Sequence, residues 1–236
     1  MDAYAWRARL APALLTAVPV LGVIGASALS PETVVRGLGI AAGAIGLAVC
    51  GIVRDWGKSL ERDLWASWGG NPAARRLRWR EAEDEEAVRR LHQRLNAVLE
   101  TPLPDRDEEM RSAEPADRRY EDAVASLRAL TRDKERFRLV LAENVEYGFR
   151  RNSLGLRKVA LGVALLALGL GIAVLVWLHD KGQDEWVPWA ISVAISITAA
   201  LYWWRIVTPT WVRRAAERYA DRLLEAVHTL RSVERT

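Results

Sequence analysis

Hydrophobic positions in this chain are segregated into four runs. Ala11–Leu29 is nineteen residues without a charged side chain, and Val34–Val53 is broken only by Arg36 near its start. Val159–Leu178 and Trp186–Trp204 are again free of charge. About twenty apolar residues in a helix reach across a bilayer core, so each run predicts a span. The expected fold class is therefore all-α: a four-span helical membrane protein with a helical module between spans 2 and 3 and a coiled-coil-like C-terminal helix. The chain divides into an N-terminal hairpin over 1–53 (spans 11–29 and 34–53), a helical domain over 54–158, a second hairpin over 159–207 (spans 159–178 and 186–204) and a tail over 208–236. A cleaved leader would also have a basic start, an apolar run and small residues such as Ala26-Ser27-Ala28. A second apolar run following within a few residues favours the hairpin. Gly37, Gly39, Gly43, Gly46 and Gly51 in that second run allow close helix packing in lipid.

Between the hairpins the period changes. Trp56, Leu60, Leu64 and Trp68 recur every four residues, the pattern of an amphipathic helix, and Gly69-Gly70-Asn71-Pro72 ends it. Val88, Leu91, Leu95, Val98 and Leu99 form one stripe of a helix over Glu85–Leu99. The proline-rich, acidic stretch Thr101–Ala116 reads as a linker. Tyr120, Val124, Leu127 and Leu130 mark a helix over Asp117–Leu130, and Thr131 is placed to cap another carrying Phe137, Val140, Leu141 and Val145. In the tail, Val212, Ala216, Tyr219, Leu223, Val227 and Leu230 alternate by fours and threes, a coiled-coil seam.

Charge orients this arrangement. Residues 54–158 hold 23 Lys/Arg against 21 Asp/Glu, whereas the two short loops between paired spans offer only Lys181 as a basic residue. Positive residues beside spans stay inside, so the helical module and both termini are expected on the cytoplasmic side of the membrane. The net charge of +4 then needs no soluble nucleic-acid partner. One cysteine, Cys50, excludes a disulfide framework, and His92, His179 and His228 have no metal-binding spacing, so no metal and no cofactor is expected.

Catalytic motifs are missing. There is no Walker loop, no GxSxG and no carboxylate pair in an apolar setting, so an enzyme is disfavoured. Glu83-Asp84-Glu85-Glu86 sits at a helix start, where acids complement the dipole. The densest cationic site is Arg75, Arg76, Arg78 and Arg80 around Trp79. Guanidinium forks and an indole can hold a phosphate and stack a base; equally, they can anchor anionic lipid headgroups. Arg150 and Arg151 carry the same two readings. In the fourth span Ser192, Ser196, Ala199 and Trp203 share a face. Hydroxyls there can line a wet path or join helices. No charge lies in mid-span, which opposes a proton-coupled transporter.

Glu143-Asn144-Val145-Glu146-Tyr147-Gly148-Phe149-Arg150-Arg151-Asn152-Ser153-Leu154-Gly155, and more loosely Leu64–Gly70 with the arginines after it, resemble small four-span bacterial anti-phage membrane effectors of the Hailong type. That resemblance implies a homo-oligomeric channel, four-fold, gated by a nucleotide or oligonucleotide and depolarising the infected cell. It also implies a nucleotidyltransferase encoded nearby that makes the signal. The candidate ligand residues, read from the charge pattern, are Arg75, Arg76, Arg78, Trp79, Arg80, Arg150 and Arg151, and the candidate pore-lining residues are Ser192, Ser196, Ala199 and Trp203. The alternative, from a different class, is a non-conducting scaffold that binds lipid and recruits a soluble partner through its helical domain and tail. Under the channel reading the seam over 143–158 relays the signal, with Gly148 as the point where a helix can bend; otherwise it is only an anchor.

Overall fold

A computed structural model describes residues 8, 10–29 and 56–231. The expected second span, with Arg36, Cys50 and its glycines, lies outside these residues. All regular structure among the described residues is helical. In chain order the helices are α1 (Ala11–Ala28), α2 (Trp56–Ser67), α3 (Pro72–Arg75), α4 (Glu85–Asn96), α5 (Arg106–Arg111), α6 (Ala113–Leu130), α7 (Arg138–Asp180), α8 (Val187–Leu201), α9 (Pro209–Glu225) and α10 (Val227–Arg231). A 3₁₀ turn at Trp79–Glu81 precedes α4, and a π-helical turn at Tyr202–Ile206 follows α8. The chain folds as two compact units, one of residues 1–60 and 148–212, the other of residues 61–147 and 213–236.

Among the described residues three helices are long and apolar enough to cross a membrane: Ala11–Ala28, Arg138–Asp180, and Val187–Ile206 with its π turn. They coincide with three of the four expected spans. Their contacts are made by small residues. A side-chain carbon on Gly22 of α1 would sit 3.4 Å from the Ser192 hydroxyl of α8, and one on Gly171 of α7 would come within 2.8 Å of Val193. Such approach gives dispersion contact where no water is expelled. Val23, Ala26, Ala167, Val174, Leu178 and Trp189 fill one cluster, and Leu156, Ala160, Trp203 and Val207 another. The α7–α8 connection closes with Gly182 at a φ of +62°, while Gln183 and Gly182 donate their backbone N–H groups to the carbonyls of Leu178 and His179. This Schellman cap satisfies carbonyls that the helix end would orphan.

Helix α7 is 43 residues long, about 65 Å at 1.5 Å per residue. Its first turns belong to the helical unit and the remainder to the apolar one. Gly148, expected as a bend point, is buried inside this continuous helix. Thr131 does not start it. The Thr131 hydroxyl instead donates back to the Leu127 carbonyl at the end of α6, and the Asp133 carboxylate accepts the N–H groups of Glu135 and Arg136 to open the next turn.

In the second unit, Leu77, Leu95, Leu103, Tyr120, Val124, Leu127 and Phe137 form the core together with Ala220, Leu223, Leu224 and Val227 of the tail. The seam expected to make a coiled coil is therefore used inside the chain. A unit this small gains from every added apolar face, and α9 and α10 supply one. The Glu85–Leu99 and Asp117–Leu130 helices form as expected, with the first ending at Asn96 and the second beginning at Ala113. The linker over Thr101–Ala116 contains a helix the hydrophobic pattern does not announce. α5 opens on a capping box, with Asp105 accepting the Glu108 N–H and Glu108 accepting the Asp105 N–H.

Candidate functional site: the arginine cluster and the carbonyl clamp

The arginine cluster owes its shape to its glycines. Gly70 donates its backbone N–H to the Trp65 carbonyl and Gly69 to that of Ala66, closing α2. Their φ values of +127° and +82° lie in the left-handed region. A side chain on Gly70 would also meet the Arg78 guanidinium at 2.9 Å. Asn71 then caps α3 by accepting the Ala73 N–H, with Pro72 in the first turn. The chain so turned brings Arg75, Arg78 and Arg80 against three carboxylates of distant or local origin.

Arg75 donates Nε to Glu81 at 2.8 Å. Arg78, only 9% exposed, donates to Asp117 at 2.9 and 3.1 Å, to the Gly69 carbonyl at 2.7 Å, and pairs with Glu81. Arg80 donates to both Asp117 oxygens at 2.8 and 2.7 Å and to Glu109 at 2.8 Å. Three guanidiniums thus face three carboxylates, and the cluster is neutral. Arg76 stands apart and pairs with Asp221 of α9 at 2.7 Å.

Glu109, 1% exposed, is the buried hub. Besides Arg80, its carboxylate accepts the Trp79 N–H at 2.7 Å, the Arg80 N–H at 3.3 Å and the Tyr120 hydroxyl at 2.7 Å. A buried charge is tolerated only with partners of this number and polarity. The Trp79 indole donates to the Pro104 carbonyl at 3.1 Å and meets the His92 ring edge-on at 4.9 Å. His92 in turn approaches the Leu77 carbonyl at 2.8 Å.

Proton affinities follow from these surroundings. Burial pushes His92 below its usual value, with the Leu77 carbonyl opposing. Burial raises Glu81, but the bonds from Arg75 and Arg78 outweigh it and hold the carboxyl below its ordinary range. For Arg80 burial is likewise outweighed by Asp117 and Glu109, which raise it. Burial and the bond to Glu109 raise the Tyr120 phenol, so it stays a donor. Asp221 is raised by burial despite Arg76.

The remaining expected residues lie in the first unit. Arg150 donates to the Trp211 carbonyl at 3.1 Å and stacks over the Trp211 ring at 4.8 Å. Arg151 is half-buried on α7. Ser192, Ser196 and Trp203, expected to line a pore, are at most 1% exposed, and Ala199 is half-buried beside Trp203. They pack inside the chain: Ser192 faces Gly22 of α1, and the Ser196 hydroxyl donates to the Ser192 carbonyl at 2.9 Å.

Two features escape sequence reasoning. Glu109 is invisible because α5 has no apolar stripe, although the Asp105-x-x-Glu108 signature that starts the helix was there to read. The other is Arg157, whose Nε and Nη2 donate to the carbonyls of Trp203 and Trp204 at 3.1 and 2.9 Å. Those carbonyls belong to the π-helical turn. No group of three or more His, Cys, Asp or Glu among the described residues is arranged to hold a metal ion.

No family model, curated protein or solved structure matches this chain.

Proposed function

We propose that this chain is a membrane effector that assembles with copies of itself into an ion-conducting pore, opened by an anionic nucleotide or oligonucleotide at the helical unit. Depolarisation of a bacterial inner membrane during anti-phage defence is the outcome, with the helical unit and both termini on the cytoplasmic side. The observation that carries the reading is helix α7. Its outer face, Gly162, Leu165, Gly169, Ile172 and Val176, steps by three and four residues and is exposed throughout. Nothing lies within 4 Å of a side-chain carbon placed on Gly162 or Gly169. Alternating holes and knobs at heptad spacing suit parallel packing of identical helices. In this reading copies meet at α7, four-fold, and Leu165, Ile172 and Val176 form an apolar constriction that gates by excluding water. Ser192 and Ser196 serve helix packing instead.

The same helix begins in the unit that holds the arginine cluster. A ligand opens the pore only through different affinity for closed and open states. Phosphates replacing Glu81 and Asp117 on Arg75, Arg78 and Arg80 supply that difference, and the neutral resting cluster selects polyanions able to compete with carboxylates. Leu223 and Val227 of the tail are buried in the chain's own core, which leaves the scaffold alternative the helical domain's surface for recruiting a partner.

Planar-bilayer recording of the purified protein is the test. Conductance appearing on addition of an oligonucleotide supports the reading. Silence with and without a panel of mono- and oligonucleotides overturns it.

A further inference from the structure

We propose that Arg157, Lys158 and Arg205, with the exposed indole of Trp204, form a headgroup site for an anionic phospholipid. The proposal rests on the reading that α7 and α8 cross a membrane. Arg157 and Lys158 are the last charged residues before the uncharged run that starts at Val159. Arg157 is fixed in place by its bonds to the Trp203 and Trp204 carbonyls, which use two of its five N–H groups and leave three. Arg205 follows Trp204 directly and holds its guanidinium 5.1 Å from the centre of that ring. Lys158 and Arg205 are both exposed.

None of these three cations forms an ion pair with a carboxylate among the described residues, whereas Arg75, Arg76, Arg78 and Arg80 all do. These three cations therefore keep their positive charge without a carboxylate partner among the described residues. The phosphodiester is the matching group, since guanidiniums meet its oxygens in paired fashion. A lipid rather than a free phosphate is favoured by what adjoins the cations. Ile197, Leu201 and Trp204, at 43%, 51% and 55% exposure, continue an apolar row leading up to Arg205 along α8 and its π turn. That row offers acyl chains a surface which a nucleotide would leave uncovered.

Native mass spectrometry of the full chain in detergent, with equal phosphatidylglycerol and phosphatidylcholine, tests this. Phosphatidylglycerol adducts should dominate, and the double variant Lys158→Gln, Arg205→Gln should lose that preference on the order of tenfold. Neither side chain bonds the helix backbone, so circular dichroism should be unchanged. Soluble glycerophosphoglycerol and inorganic phosphate should not displace the lipid. Equal adducts of the two lipids, or a preference that survives the double substitution, overturns the site. Displacement by inorganic phosphate reassigns it to a free phosphate and overturns the lipid. Alkaline carbonate extraction separates the failures: release of the chain sinks the membrane reading, while retention without lipid preference sinks the site alone.

Discussion

Glu109 shows how much one side chain can organise. Its carboxylate collects two backbone N–H groups, a guanidinium and a phenol from two separate parts of the chain. Glu109→Leu leaves the Arg80 guanidinium and both amides short of an acceptor, and we expect a loss on the order of 3 kcal/mol, read by thermal or denaturant unfolding. Glu109→Gln, which keeps an acceptor, should cost less. His92 gives a pH dependence of definite sign. Its folded value is lowered by burial, so the unfolded chain takes up the proton first. Stability from this group is full above the unfolded value, about 6.5, and falls as pH drops below it. Melting temperature should decline between pH 7 and 5, and His92→Gln should flatten that decline. Asp84 at the start of α4 and Asn71 at the start of α3 could be read directly from the sequence as caps, since each acts on its own neighbours. Asp117 and Glu109, the distant partners of Arg78 and Arg80, could not. They lie 29 to 39 residues away, and no local pattern encodes a pairing across that distance. A phosphate site and a carboxylate-paired cluster look the same in one dimension.

At the scale of elements, the apolar pattern located the long helices among the described residues, divided α7 in two, and misjudged the destination of one. The tail's seam is apolar at heptad spacing whether it meets a second copy or the helices of its own chain. Leu223 is fully buried in the helical unit. Leu223→Ala should therefore cost about 2–5 kcal/mol in unfolding of that unit, independently of protein concentration. Concentration-dependent loss would instead mark an intermolecular seam. The glycine pair after α2 is similarly constrained. Gly70→Ala meets both a left-handed backbone and the Arg78 guanidinium, and we expect about 1–3 kcal/mol of destabilisation by thermal melt. Short α5 was missed because its one large apolar residue, Met110, points outward at 70% exposure.

For the whole molecule, α7 is the element on which the proposed activity turns. Gly148 lies within it, so Gly148→Pro removes a helical hydrogen bond and clashes with the preceding turn, about 3 kcal/mol or more locally. The expected outcome is a protein that still assembles, by cross-linking in detergent, and still binds nucleotide, but no longer conducts in a planar bilayer. Ligand-dependent conductance in that variant would show that no signal passes along the helix.

The two bonds from Arg157 to the π turn have a mechanical consequence. A π turn spends one extra residue and sets its carbonyls out of the ordinary helical ladder, where a fork of fixed width can grip two of them at once. Turning α7 about its own axis by a single residue, about 100°, would carry that fork off both carbonyls. The two apolar helices are thereby keyed like a shaft in its collar: they can tilt or shift together, but neither can spin past the other without first undoing Arg157.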